Sequence, residues 1–179
     1  MKRLATALLV LSLAGLLQAS VPSQVPSPTG PAPAQQTPGS EPLAIVVNKA
    51  NPADDLSMAD LRRVFLGERG HWPNGRRITL VMLDPGWSER DEVLSIIYHM
   101  DEAQFKNHFL HGLFTGEVLV SPKTLSTPEG VRKFIFNVPG AIGYLRAADV
   151  DKTVKVIRID ERLPGDKGYK LHVPPRETR

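Results

Sequence analysis

The chain has 179 residues, with 22 Lys and Arg against 19 Asp and Glu, and it contains no cysteine. That length suits one domain with appendages, and the lack of thiols excludes disulfides and thiolate metal sites. Two of the basic residues, Lys2 and Arg3, stand at the extreme N-terminus. The remainder is therefore close to neutral, and the composition gives no support to a nucleic-acid partner, which calls for a basic face interleaved with aromatics. The densest basic stretch, Arg62, Arg63, Arg69, His71, Arg76 and Arg77, is interrupted by Glu68 and reads as a solvated surface.

Residues 1–20 have the layout of a secretory signal: a positive start, an uncharged run from Leu4 to Leu17, and Gln18-Ala19-Ser20 as a small-residue cleavage site. The apolar run is shorter than the roughly 20 residues a spanning helix needs. A periplasmic location follows as the expectation, and an uncleaved membrane tether stays open because Leu17 is large for its place before the cut. Residues 21–42 hold seven prolines among Ser, Gln, Thr and Ala, and are expected to form an extended linker. The folded domain is expected over residues 43–179.

Leu43 to Asn48 is a short apolar, β-branched run bounded by Pro42 and Asn51-Pro52, which predicts a buried strand. Ser57 followed by Asp60 opens a helix whose inner face is Met58, Leu61, Val64 and Phe65, with Gly67 as its stop. His71 to Gly75 is turn chemistry. Ile78 to Leu83 predicts a second strand, and Asp84 to Ser88 a loop into a helix over about 88–99. A further helix, about 101–114, is expected to turn Phe105, Phe109, Leu113 and Phe114 inward. Val118 to Val120 is a candidate short strand. Thr127-Pro128-Glu129 opens another helix with a capping hydroxyl, a first-turn proline and an acid at the positive end of the dipole. Ala141 to Leu145 and Val154 to Ile159 are expected strands. The alternation predicts a three-layer α/β domain, with a mostly parallel sheet covered by helices on both faces. Ligands of such sheets sit beyond the strand carboxyl ends.

Several stretches, taken in order, resemble phosphate ABC-transporter substrate-binding proteins. They are Leu43–Asn48 with Asn51-Pro52, Leu56-Ser57 through Leu61-Arg62-Arg63-Val64-Phe65-Leu66-Gly67, Trp72-Pro73-Asn74-Gly75, and Pro139-Gly140-Ala141-Ile142-Gly143-Tyr144. Val154 to Ile159 and Pro164 to Tyr169 resemble short members of the group. The resemblance covers about residues 43–171 and implies the type 2 periplasmic-binding-protein fold, of which this chain supplies one lobe. It further implies a small phosphate-like anion as ligand, with a membrane transporter or sensor protein as partner.

The family holds phosphate partly in the loop after the second strand here, with a serine, a threonine and backbone N–H groups at a helix N-terminus. Unpaired N–H groups and the helix dipole favour an anion there. In this chain Gly86 matches the pattern, Trp87 replaces the serine and Glu89 the threonine, and Leu83 stands where the family has arginine. The candidate ligand-binding residues are Gly86, Trp87, Ser88 and Arg90 in this loop and, as a second candidate, Lys123, Ser126 and Thr127 at the later helix opening. Helix capping is the competing explanation for Ser88, Glu89 and Thr127. His108 and His111 lie three apart without a defined third ligand, so no metal site is expected. No cofactor is implied, and no nucleophile motif or carboxylate pair argues for an enzyme. Two functions remain open: a solute-binding protein for phosphate or another oxyanion, used in transport or sensing, and a non-transport scaffold that keeps the fold without tight anion binding.

Overall fold

The computed structural model describes residues 39–176. The expected signal segment and most of the expected linker lie outside the described residues. The first strand, β1 (Glu41–Val47), begins two residues before the anticipated domain boundary and includes Pro42. Its early residues pair with β8 (His172–Val173), so the start and end of the domain are tied side by side.

Between them run β2 (Asp55–Leu56), α1 (Met58–Phe65), β3 (Thr79–Leu83), α2 (Ser88–Val93), α3 (Glu102–Thr115), β4 (Lys123–Leu125), α4 (Pro128–Asn137), β5 (Ala141–Arg146), β6 (Lys155–Val156) and β7 (Arg158–Ile159). The main sheet has the order β4-β3-β5-β1-β6, and β2 pairs separately with β7. The α/β class is as expected. Strands β4, β3 and β5, which alternate with helices, are parallel, as crossovers through helices require. Strand β1 runs antiparallel to β5, β6 and β8, which makes the sheet a mixed one.

The core fills the sheet's two faces with β-branched and aliphatic side chains, and β1 is buried without interruption from Leu43 to Val47. An aromatic cluster of Phe65, Tyr98, Phe105 and Phe109, joined by edge-on contacts through Tyr98, holds α1 and α3 to the sheet, where Tyr144 lies tilted against Phe65. Trp72, in the long loop before β3, is buried and donates its indole N–H to the Gly140 carbonyl at 2.9 Å. Gly140 lies so close to the Arg77 carbonyl that a Cβ there would fall 2.1 Å away, which explains the glycine ahead of β5.

Several local details depart from the sequence expectation. The helix foreseen over 88–99 is α-helical only to Val93, widens into a π-helical turn over Leu94–Tyr98, and stops at His99 in the left-handed region. Val118 and Val120 are buried but form no strand, because the segment packs on Gly112 rather than on the sheet. The foreseen strand over 154–159 is split in two at Ile157, where the chain passes from β1 to β2. Leu113 and Phe114 face solvent instead of the core. Phe105 and Phe109 already fill the inward stripe of α3, and Gly112 takes the next inward position so that Val118 can approach.

Candidate functional site

Parallel alignment brings the carboxyl ends of β3, β4 and β5 to one edge of the sheet. Because β1 is antiparallel, with Leu43 opposite Arg146, its starting residues reach the same edge. The loops leaving β3 and β4 are joined there: the Asp84 N–H donates to the Leu125 carbonyl at 2.9 Å, and the Trp87 indole donates to the Ser126 carbonyl at 3.2 Å. This edge is where the sequence placed a ligand.

What occupies it is a carboxylate of the protein itself. Glu89, in the first turn of α2, is only 2% exposed. Its Oε1 accepts from Arg146 Nε at 2.5 Å, and Arg176 Nη2 stands 3.5 Å away. Arg146 closes β5 and is itself 2% exposed. Its other two nitrogens are engaged as well: Nη1 bonds the Glu41 carboxylate at 2.8 Å and the Pro174 carbonyl at 2.7 Å, and Nη2 bonds Ser88 Oγ at 2.9 Å. Arg176 also bonds the carboxylate of Asp149. One buried guanidinium thus ties together the loop after β3, the beginning of β1 and the segment after β8.

Burial alone would push the Glu89 carboxyl up, but its own backbone N–H, the Arg146 guanidinium and Ser88 outweigh it and hold the group below the usual carboxylate range. Glu41 is lowered as well, chiefly by its bond from Arg146. Carboxyls held below their unfolded value near 4.5 stabilise the fold at neutral pH, and that contribution disappears as pH falls through the folded value. Thermal unfolding followed from pH 7 downward should therefore show a flat region and then a steady loss below the unfolded carboxylate value. A Glu89→Gln protein should show a shallower loss.

Beside this cluster lies an open cavity of about 300 Å³ lined by Trp87, Pro128, Glu129, Arg132, Asp149 and Arg176. Its arginines are engaged: Arg132 bonds the Asp149 carbonyl at 2.9 Å and pairs with Asp151 at 3.3 Å, and Arg176 is held as described. The cavity therefore offers a half-buried indole face between balanced charges rather than a free cationic seat.

The expected site residues separate on this frame. Trp87, Ser126 and Thr127 do gather where the two loops meet. Gly86 sits at the exposed loop with φ +99 and open space around it. Ser88 is at the edge too, but its hydroxyl serves Arg146 and Glu89. Arg90, expected to reach an anion, is instead buried. It forms a two-pronged pair with Glu102 at 2.9 and 3.1 Å, donates to the Leu83 carbonyl at 2.7 Å and lies 4.9 Å from the centre of the Phe105 ring. It fastens α2 to α3 and β3. Lys123, expected beside the α4 opening, starts β4 opposite Val81 and so lies at the far end of that strand, with its ammonium over the Phe134 ring. Thr127 caps α4 by accepting from the Gly130 N–H at 3.0 Å. Thr127→Ala should cost about 1 kcal/mol of stability, measured by urea unfolding, as the loss of a cap does.

The residues that sequence reasoning overlooked are Arg146, Arg176, Glu41 and Asp149. One signal was available: Arg146 is a lone charge closing an apolar strand at its carboxyl end, where a buried cation requires a partner. Among the described residues no group of three or more His, Asp or Glu side chains is placed to hold a metal ion, and no helix is long and apolar enough to cross a membrane.

No protein-family profile matches the chain. Solved structures do resemble it. An ABC-type phosphate transport receptor from Vibrio cholerae superposes with a TM-score of 0.63 at 20% identity, over 76% of this chain and 55% of that one. A Clostridium perfringens structure, described as a phosphate ABC-transporter substrate-binding protein with bound phosphate, gives 0.63 at 19%, over 78% and 57%. PstS from Borrelia burgdorferi gives 0.58 at 11%, over 76% and 56%. The chain spans a little over half the length of these proteins, and what it shares with them is the fold of that part, as the sequence resemblance implied.

Proposed function

We propose that this chain is an exported, periplasmic domain that keeps a substrate-binding-protein fold as a docking module, and that its own Glu89 fills the place where the resembling proteins are expected to hold an anion. One observation carries the reading: a fully buried carboxylate at the start of α2, bonded to a guanidinium whose other two nitrogens also bond within the protein. Phosphate entering beside Glu89 would bring two negative charges into contact in a poorly solvated site, where their repulsion is strong. The module's partner would then be a membrane transporter or sensor protein, met through the face carrying Trp87.

A second reading is reversible binding of phosphate or another small oxyanion, for transport or sensing. Two arginines converging on one carboxylate favour it, since the same pair would suit an oxyanion if Glu89 swung away. Titration calorimetry of the folded protein with phosphate, sulfate and acetate separates the two. The docking reading expects no saturable heat with any of them. Saturable heat with phosphate or sulfate would overturn it in favour of the second reading.

A further inference from the structure

The large apolar side chains that remain exposed are not scattered. Of the six among the described residues, four fall within ten positions: Leu110 at 61% exposure, Leu113 at 51%, Phe114 at 83% and Leu119 at 55%. Leu110, Leu113 and Phe114 occupy positions i, i+3 and i+4 of α3, on the stripe facing away from the buried Phe105, Phe109 and Gly112. The helix ends at Gly116 in the left-handed region, and the chain folds back along it. Val118 seats against Gly112, which has no side chain to keep it away, and its N–H bonds the Gly112 carbonyl at 3.1 Å. Leu119 then emerges beside the helix, completing an apolar tip. Isolated exposed apolar residues are ordinary, but a contiguous group marks an interaction surface.

This tip rests on the basic loop ahead of β3. The Leu119 N–H bonds the Gly67 carbonyl at 2.7 Å, and the Leu119 side chain packs at the position of Gly70. Gly70 and Ile78 are bonded across the loop, and His71 pairs with Arg77, which puts Arg69 and Arg77 within one residue of that contact. Arg69, Arg76 and Arg77 take part in no ion pair among the described residues, and Arg69 donates only to a carbonyl.

Charge is unevenly distributed on the domain. Residues 39–176 hold nineteen Lys and Arg against eighteen Asp and Glu, a net of +1. The two segments that build this end, 61–77 and 103–122, hold six against two (Glu68 and Glu117), a net of +4, which leaves −3 on everything else. A protruding phenylalanine and leucines, with arginines free of ion pairs on the loop beside Leu119, match the two layers of an anionic bilayer surface, with acyl chains for the former and phosphate headgroups for the latter. An acidic protein surface would satisfy the arginines but would leave the three leucines and Phe114 facing polar groups.

We infer that the tip formed by Leu110, Leu113, Phe114 and Leu119 docks the domain onto a bilayer rich in anionic phospholipid, with Arg69, Arg76 and Arg77 meeting the headgroups. The remaining surface, net negative, is turned away from the membrane by the same field. This attachment is independent of whether an anion binds beside Glu89, so calorimetry with phosphate does not bear on it.

The absence of cysteine makes the test site-specific. Full-length Phe114→Cys and, as a control on the acidic remainder, full-length Lys167→Cys are labelled with an environment-sensitive fluorophore and mixed with vesicles. Phosphatidylglycerol-containing vesicles should brighten the label at 114 at least about twofold, as apolar insertion does, and leave the label at 167 unchanged. Pure phosphatidylcholine vesicles should give little response, and about 0.5 M salt should suppress the response to anionic vesicles. Changing both Arg69 and Arg77 to Glu should weaken binding at least about tenfold, with the folded spectrum retained. Comparable brightening at both positions would assign any adsorption to another part of the chain and overturn the inference. So would an equal response to neutral vesicles, or brightening at 114 that follows protein concentration without lipid, which would mean a second copy covers the tip.

Discussion

Replacing Arg146 by methionine is expected to destabilise the domain by about 3–5 kcal/mol at pH 7, the range seen when one partner of a buried ion pair is removed. Arg146 serves four acceptors on three separated stretches of chain: Glu89 and Ser88 after β3, Glu41 in β1, and the Pro174 carbonyl after β8. Methionine keeps the apolar stem, so the loss reports chiefly the missing charge and bonds. The group left behind decides the size of the effect. Glu89 is buried and would keep only its own backbone N–H, Ser88 and the half-exposed Arg176 at 3.5 Å. With its main cation gone, burial dominates and pushes the carboxyl above its unfolded value. The pH response then reverses. Wild-type protein loses stability as pH falls through the folded value of Glu89, whereas a carboxyl raised by burial is stabilised by protonation and loses stability as pH rises. Arg146→Met should therefore recover part of its deficit between pH 7 and pH 5, where the wild type is level. Chemical denaturation at the two pH values measures it, and a loss under about 1 kcal/mol at pH 7 would show that the cluster is mostly solvated, as exposed pairs are.

Much of the fold was legible because it depends on local patterns. The apolar run from Leu43, the capped start at Ser57, the strand ending at Leu83 and the Thr127-Pro128-Glu129 opening all appear where period and capping chemistry place them. Strand direction was less accessible. Nothing within residues 41–47 says that β1 will run against β5, since that depends on the path of the chain between the two strands. The exposed side of α3 was misread because Leu113 and Phe114 obey the helical period of a buried stripe, and only the packing of Val118 on Gly112 shows that the stripe ends earlier.

The site was half legible. Glu89 was recognised as the residue that breaks the anion-loop pattern, whereas Ser126-Thr127 stood as a separate candidate, and only the structure joins it to that loop. Its partner could not be read, because Arg146 lies 57 positions away and joins Glu89 only through the pairing of β5 with β3. Arg90 was the natural cation to choose on nearness in sequence. Helical geometry points it to the opposite side of α2, toward Glu102, while Glu89 turns to the sheet edge.

Removing Glu89 should convert the internal ion pair into an anion site, and this is the second large effect expected. In Glu89→Ala the Arg146 guanidinium keeps Glu41, Ser88 and the Pro174 carbonyl, so the penalty is smaller than that of losing Arg146 itself, about 2–3 kcal/mol. The vacated space would be lined by the Arg146 Nε–H, the Ser88 hydroxyl and the Arg176 guanidinium. Those donors suit acetate, formate or phosphate as they suit a carboxylate side chain. An anion that binds only the folded variant restores stability in proportion to the logarithm of its concentration, about 2.7 kcal/mol at one hundred times its dissociation constant. Thermal unfolding of Glu89→Ala in increasing formate or phosphate, at constant ionic strength kept with chloride, should thus approach the wild-type value, while the wild type itself responds little. Equal anion responses in the two proteins would locate binding elsewhere. A selective response in the variant would identify Glu89 as the resident anion of this fold, which makes the difference between a lobe that waits for phosphate and one that has no vacancy for it.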